Sequence, residues 1–333
     1  MADSSLLIGD IGGTNARFAL AEKSAPGFSD LMTLQCADYA TANAAIKEYL
    51  DSVGALSPSV ICLAVAGPVV EQCVQFTNNH WAITSDELAT AFSASETRLL
   101  NDFVAIAHSI PFLSGDDCQV IGSLAPELLD KAEYTVAIIG PGTGLGISGL
   151  RKQGDSYITI SGEASHSGFA PESDLQIEIL SALRRKFDRV SIERVVSGAG
   201  LENIYWALSR IRNEKWAQLS VAEIFAKVDD KSDPLAAEAV QLFFEILGQI
   251  AGDIALTFGA EDGVFIAGGI VRRYPELLAD SRFRSGFESK GRHRPILERI
   301  PTQLILHEHP GLLGASCCAL ELLDIDICTA QGV

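Results

Sequence analysis

The strongest constraint on the fold is a sequence shape that occurs twice: an apolar run, a cluster of glycines, and a second apolar run. Residues 6–20 show it first, with Leu6-Leu7-Ile8 entering Gly9-Asp10-Ile11-Gly12-Gly13-Thr14 and Ala16-Arg17-Phe18-Ala19-Leu20 leaving it. Residues 134–151 show it again around Gly140-Pro141-Gly142-Thr143-Gly144-Leu145-Gly146. Each copy reads as a β-hairpin with a glycine-rich bend.

After the first hairpin the pattern predicts a strand at 32–36, a helix over 42–53 and strands at 60–66 and 74–76. A helix from 86, a strand at 98–100 and a helix at 104–108 follow. After the second hairpin come a strand at 157–160 and amphipathic helices over 173–187, 201–213, 221–228 and 234–258. Strands at 263–267 and 303–307 and a helix from 312 close the chain. Three strands followed by alternating helices and strands, twice over, predict an α/β protein with two mixed sheets. The expected domains are residues 1–113 with 312–333, and residues 114–311.

A chain of 333 residues, 47% hydrophobic and 20% charged, has the apolar surface for two such cores. Its net charge of −18 disfavours nucleic acid and anionic lipid as partners. The one basic stretch is Lys290, Arg292, His293 and Arg294. Seven cysteines without a CxxC spacing disfavour both a disulfide framework and a zinc motif, and fit a reducing compartment. The start, Met1-Ala2-Asp3-Ser4-Ser5, has no basic leader, and the apolar runs read as shorter than the ~20 residues of a membrane span. The expectation is a cytoplasmic protein that does not engage a membrane.

The first bend carries glycines that permit positive φ and let backbone N–H groups approach an anion, and phosphate is the natural ligand. Asp10 inside such a bend makes chemical sense as an oxygen ligand of Mg²⁺, usually through water. A tight hairpin with an acidic tip remains the alternative. Gly142 and Gly144 bare the backbone of the second bend in the same way. Neither bend matches a P-loop or a dinucleotide fingerprint. Gly268-Gly269 follows the apolar run Val264-Phe265-Ile266-Ala267, where exposed backbone could receive a planar base or simply turn.

Asn101-Asp102 falls between a buried strand and a helix, where α/β proteins place functional side chains. Asp102 is the candidate general base for a hydroxyl under phosphoryl transfer; the alternative is an ordinary helix N-cap. Glu163, His166 and Glu193 supply the carboxylates and imidazole that a polyol pocket requires, although each could be a solvated or structural residue. His307 and His309 could share a strand face as metal ligands, but lack a third partner.

In this order the motifs resemble those of the bacterial-type glucokinases, within the hexokinase, Hsp70 and actin superfamily, along nearly the whole chain. The resemblance rests on Gly9–Arg17, Gly140–Gly146, Val264–Val271 and Leu100-Asn101-Asp102-Phe103. It implies a two-domain actin-like (ribonuclease H-like) ATPase fold, an active-site cleft between a small and a large domain, and glucose, ATP and Mg²⁺ as ligands. Asp102 would be the base. Gly9, Asp10, Ile11, Gly12, Gly13, Thr14, Gly142, Thr143, Gly144, Gly268 and Gly269 would hold the nucleotide. Asn78, Asn101, Asp102, Glu163, His166 and Glu193 would contact the sugar. A homodimer is implied as well, and Pro310-Gly311-Leu312-Leu313-Gly314-Ala315 resembles the family's closing segment. The chain departs from the family where Gly-Glu-Gly-Gly-His is replaced by Gly162-Glu163-Ala164-Ser165-His166. A kinase for another hexose, such as mannose, fructose or an N-acetylated amino sugar, is the alternative within enzymes. A non-catalytic sugar sensor is the alternative outside them.

Overall fold

The computed structural model describes residues 5–55, 57–76, 79–125 and 131–323. In chain order, strands β1 (Leu6–Ile11), β2 (Asn15–Ala21) and β3 (Phe28–Gln35) precede helix α1 (Ala42–Val53) and strand β4 (Val60–Val65). Strands β5 (Cys73–Gln75) and β6 (Ala82–Thr84), helix α2 (Ser85–Phe92), strand β7 (Glu96–Asn101) and helix α3 (Asp102–Ser109) follow. Strands β8 (Cys118–Val120), β9 (Glu133–Pro141), β10 (Leu145–Gln153) and β11 (Ser156–Ser161) lead into helices α4 (Asp174–Leu183), α5 (Gly198–Ile211), α6 (Val221–Asp229) and α7 (Pro234–Phe258). After β12 (Gly263–Ile266) come the short helices α8 (Gly269–Arg273), α9 (Pro275–Ala279), α10 (Phe283–Glu288) and α11 (Arg294–Leu297). Strand β13 (Thr302–Ile305) and helix α12 (Pro310–Glu321) end the described chain.

The chain forms two units, residues 1–114, 155–159 and 307–333 in the first, and 115–154 with 160–306 in the second. The two main sheets repeat one topology. The first runs β3-β2-β1-β4-β7 and the second β11-β10-β9-β12-β13, with β8 added at its edge. In each, an antiparallel meander supplies one half, and parallel strands reached through helices supply the other: β1 pairs in parallel with β4, and β9 with β12.

Within the first unit, the two-residue period of β1 sends its side chains to two different cores. Leu7 and Ile11 pack with Phe18, Tyr49 and Leu63 on the α1 side. Leu6 and Ile8 pack with Cys62, Leu312 and Cys318 on the α12 side. The same alternation puts Asp10 on the α12 face. Gly9 lies on the other face for a packing reason, because a Cβ there would sit 2.7 Å from Leu63 Cδ2. Helices α3 and α12 cross at Gly314, where a Cβ would overlap the carbonyl oxygen of Ala105, so the two helices pack backbone to backbone.

The second unit is built around α7, capped by the Asp233 carboxylate on the N–H groups of Leu235 and Ala236 and ended by Gly259 at φ 64°. This helix corrects one sequence reading: it is long and apolar enough for a membrane span, with mean hydropathy 1.4 over its best window. Yet 78% of that window is buried inside the unit, which makes it the core helix. The basic stretch near residue 290 is largely neutralised, since Lys290 pairs with Glu172 and Asp253, and Arg294 with Glu288 and Glu298.

Candidate active site

In the first unit, the parallel strands β1, β4 and β7 end together, Ile11 beside Val65 and Val65 beside Asn101. The carboxyl edge of parallel strands is where open α/β sheets gather ligands. Asp10 stands at this edge in β1 and Asp102 directly after β7, and those two strands are two spacings, or roughly 9.5 Å, apart. Asp10 is partly buried, with 26% of its side chain exposed. Arg17 Nη1 lies 3.4 Å from its Oδ2 across the β1–β2 pair. Burial pushes the Asp10 carboxyl up from its ordinary range, against the opposing pull of Arg17 and His309. Gly311, in the first turn of α12, faces Asp10: a Cβ at Gly311 would lie 3.5 Å from the carboxyl carbon. A hard oxygen donor beside a helix N-terminus and a glycine turn suits Mg²⁺-linked phosphate chemistry.

The turn after Asp10 closes through the Gly12 N–H to the Asn15 carbonyl at 2.9 Å. Gly12, Gly142 and Gly144 all keep backbone angles outside the left-handed region, so the bends do not exploit positive φ as the sequence suggested. What Gly142 provides is open space, since a Cβ there would meet nothing within 4 Å, whereas a Cβ on Gly12 would touch the Asn15 carbonyl oxygen at 3.6 Å. Gly268 is the exception. It has φ 103°, and a Cβ there would overlap the Pro141 carbonyl oxygen, so only glycine lets the end of β12 pass the second hairpin. Gly269 beside it begins α8 with space around its Cα.

Asn101, not Asp102, caps α3. Its Oδ1 accepts the N–H groups of Phe103 and Val104 at 3.0 and 3.3 Å, and its Nδ2 donates to the Gly67 carbonyl at 3.2 Å. Asp102 is the first helical residue, and its Oδ1 accepts the Phe103 N–H at 2.9 Å. The ordinary capping role weighed for Asp102 is therefore filled by its neighbour. Asn78 lies outside the described residues.

In the second unit, the segments carrying Glu163, His166 and Glu193 pair with each other. The N–H of Phe169 donates to Val190 and that of Ile192 to Ser167, while Arg189 donates to the His166 carbonyl. Glu163 Oε2 and His166 Nε2 are 3.8 Å apart, and both side chains are 58% exposed, so neither is a core residue. Glu193 lies in a 3₁₀ turn and is not a solvated helix residue. Its Oε2 accepts the Leu145 N–H at 3.0 Å, and a Cβ on Gly144 would sit only 2.6 Å from that oxygen. The Gly142 carbonyl in turn accepts the first N–H of α5 from Gly198 at 2.9 Å. Glu193 thus joins the candidate sugar ligands to the second glycine hairpin.

The strand expected to carry His307 and His309 ends at Ile305, so no common strand face holds the two imidazoles. His307 Nδ1 accepts the His309 N–H at 3.1 Å, and His309 precedes α12, near Asp10. The sequence placed Arg17 and Gly311 in motifs without a role of their own and weighed His309 only as a metal ligand beside His307. Their common feature is contact with Asp10, which only the fold creates.

The family profile described as Glucokinase matches residues 7–322. A glucokinase of Nitrobacter hamburgensis is 43% identical over 316 residues, covering 95% of this chain and 97% of that protein. One from Caulobacter vibrioides is 43% identical over 315 residues, covering 93% of each. The crystal structure of a glucokinase from an Antarctic psychrotroph superposes with a TM-score of 0.86 at 33% identity, covering 96% of this chain and 99% of the other. A ROK family glucokinase from Streptomyces griseus, solved in complex with glucose and AMPPNP, shares the fold at a TM-score of 0.62 and 18% identity, covering 96% and 100%. The fold is that of the actin-like, ribonuclease H-like ATPases. With a profile match and 43% identity extending over nearly its whole length, the chain belongs to the glucokinase family.

Proposed function

We propose that this chain transfers the γ-phosphoryl group of ATP to the 6-hydroxyl of D-glucose, as a cytoplasmic homodimer catalysing the first step of glycolysis. Family membership supports the reaction, and the capping of α3 by Asn101 supports the assignment of its base. Asp102 accepts the hydroxyl proton as the new O–P bond forms and the bond to the β-phosphate bridging oxygen breaks, releasing ADP. Its bond from the Phe103 N–H orients the carboxylate.

Asp10, through water, is the proposed Mg²⁺ ligand. The ion, when bound, neutralises charge on the transferring phosphates. The bends Gly9-Asp10-Ile11-Gly12-Gly13-Thr14 and Gly142-Thr143-Gly144 are the proposed phosphate cradles, with donors from Gly13, Thr14, Thr143 and Gly144. Gly9 and Ile11 lie in the β1 ladder, and the N–H groups of Gly12 and Gly142 close the bends on the Asn15 and Gly144 carbonyls, while Gly268-Gly269 offers open backbone to the adenine. Glu163, His166, Glu193, Asn101 and Asn78 hold the sugar hydroxyls. Asn101 spends its oxygen on the cap, so its sugar contact comes from the amide nitrogen. The proposed domains remain residues 1–113 with 312–333, and 114–311. A net charge of −18 and a neutralised basic stretch speak against nucleic acid and membrane partners.

The test is a coupled assay of ADP release with glucose, mannose, fructose and N-acetylglucosamine, repeated for Asp102→Asn. Glucose should have the highest kcat/KM, and the variant should keep glucose binding while kcat falls roughly 10²–10⁴-fold. Near-wild-type turnover in Asp102→Asn would remove it as the base. A higher kcat/KM for another hexose would reassign the acceptor. Ala164 and the buried Ser165 stand where the family has glycines and are the first residues to exchange in that case.

A further inference from the structure

His108, Cys318 and Glu321 meet in the first unit, where α3 and α12 pack together. Their ligand atoms all lie within 4.8 Å of one another. The cysteine is fully buried, while the His108 and Glu321 side chains are 11% and 31% exposed. His108 Nδ1 and Glu321 Oε1 are 3.8 Å apart, too long for a hydrogen bond. That separation is close to the spacing of two donors on a common tetrahedral ion, about 3.3–3.8 Å for bonds of 2.0–2.3 Å. Cys62 of β4 reaches the Cys318 thiol from the sheet side, and Arg98 of β7 acts on Glu321 from the other. None of the three residues takes part in the phosphoryl-transfer site.

We propose that His108, Cys318 and Glu321 form a Zn²⁺ site with one position left to solvent. The donor set carries the choice of metal. Thiolate and imidazole are ligands of zinc and other soft or borderline cations, whereas Mg²⁺ takes oxygen. The two helices pack backbone to backbone at the Gly314–Ala105 crossing, and ligand atoms within 4.8 Å of one another need to close by only about 1 Å to reach the spacing of donors on a common tetrahedral ion. On binding, the Cys318 thiol proton passes to solvent as the S–Zn bond forms, with no change of oxidation state. The ion would tie α3 to α12 through side chains 210 residues apart in sequence, which is why the cysteine spacing gave no sign of it.

The test uses the full chain, stripped with chelator and titrated with Co²⁺ as a spectroscopic probe. A thiolate-to-cobalt charge-transfer band and tetrahedral d–d absorption should saturate at one equivalent, and Zn²⁺ should displace both. His108→Gln and Glu321→Gln alter the more exposed ligands and should each weaken Zn²⁺ by at least about tenfold. Cys318→Ser should abolish the charge-transfer band. Absence of a thiolate band in the wild type overturns the site, as does an unchanged band in folded Cys318→Ser. If Cys318→Ser does not fold, the His108→Gln and Glu321→Gln variants decide: unchanged Zn²⁺ affinity in both leaves a His–Glu pair with no metal role. Co²⁺ held by Asp10 alone gives oxygen ligation and no thiolate band, so it does not imitate the expected result.

Discussion

Gly144→Ala tests whether one carboxylate serves both the second glycine hairpin and the sugar. The added Cβ would stand 2.6 Å from Glu193 Oε2, whereas nonbonded carbon contacts settle near 3.5 Å, so the carboxylate must retreat by about 1 Å. It then loses the Leu145 N–H, a bond to a charged acceptor contributing about 1.5–3 kcal/mol. A ligand displaced by about 1 Å costs on the order of 10²-fold in kcat/KM. The expected result is therefore a drop of about that size for glucose, with weaker glucose binding by calorimetry in the absence of nucleotide. Gly142→Ala, whose Cβ meets nothing within 4 Å, should leave nucleotide-free glucose binding unchanged. The decisive comparison is a double-mutant cycle with Glu193→Ala, which removes the atom that clashes. On that background Gly144→Ala should add little, because the two changes act through one group. An undiminished effect of Gly144→Ala on the Glu193→Ala background would refute the coupling.

Gly268→Ala should cost about 1–3 kcal/mol from the backbone strain at φ 103° alone, and more from overlap with the Pro141 carbonyl, read as a fall in Tm together with weaker ATP binding. Unchanged stability would mean the β12 turn adapts. Tyr205 is 4% exposed, donates to Asp233 Oδ2 at 2.8 Å, and has its hydroxyl pushed up to about 12, first by burial and then by Asp233. A raised folded value means that this contribution is fully present below the unfolded value of 10.0 and is lost as the pH climbs towards 12. Tyr205→Phe should accordingly lose about 1.5–3 kcal/mol at neutral pH, and the gap from the wild type should narrow above pH 10. A gap that stays constant from neutral pH to 12, measured by denaturant titration, would contradict this account.

The parts of the fold visible in the sequence are those set by local pattern. The strand–glycine–strand runs became β1–β2 and β9–β10, and helices α1 and α7 begin and end where their apolar periodicity does. Strand β8 went unread because three half-buried residues carry no periodic signal and become a strand only by pairing with β13. Helices α8 to α11 span four to six residues each, too short for a 3.6-residue period to emerge. The start of α12 was available: Pro310 at the first helical position is a start signal, yet the apolar run drew the reading on to Leu312. At the candidate site, sequence position indicated the Asn101-Asp102 pair but could not divide its labour. Either residue can cap a helix, and only the bond from Asn101 to Gly67, 34 residues away, shows which one is held to that task. The glycines of the bends were read as permitting positive φ, but among the motif glycines only Gly268 adopts it: Gly9 makes room for Leu63, Gly142 keeps space open and Gly144 admits a neighbouring carboxylate.

The arrangement also bears on how a chain with net charge −18 can hold a polyphosphate. Arg17 is the only Lys or Arg within the three glycine motifs and the Leu100–Phe103 segment, and it is engaged with Asp10. In the proposed function the attraction comes from oriented N–H groups and a metal ion, both of which act at short range and escape much of the screening and repulsion of the distant surface. The first unit has two helix N-termini at this edge, α3 starting at Asp102 and α12 starting beside Asp10. Partial positive charge at those ends favours the ionised forms of the two carboxylates, which the proposed roles of Asp10 as cation ligand and Asp102 as base require. Because α3 and α12 touch backbone to backbone at Gly314, one helix cannot shift without carrying the other. Asp10 and Asp102 then keep their separation through packing, and no direct bond between two like charges is needed to hold it.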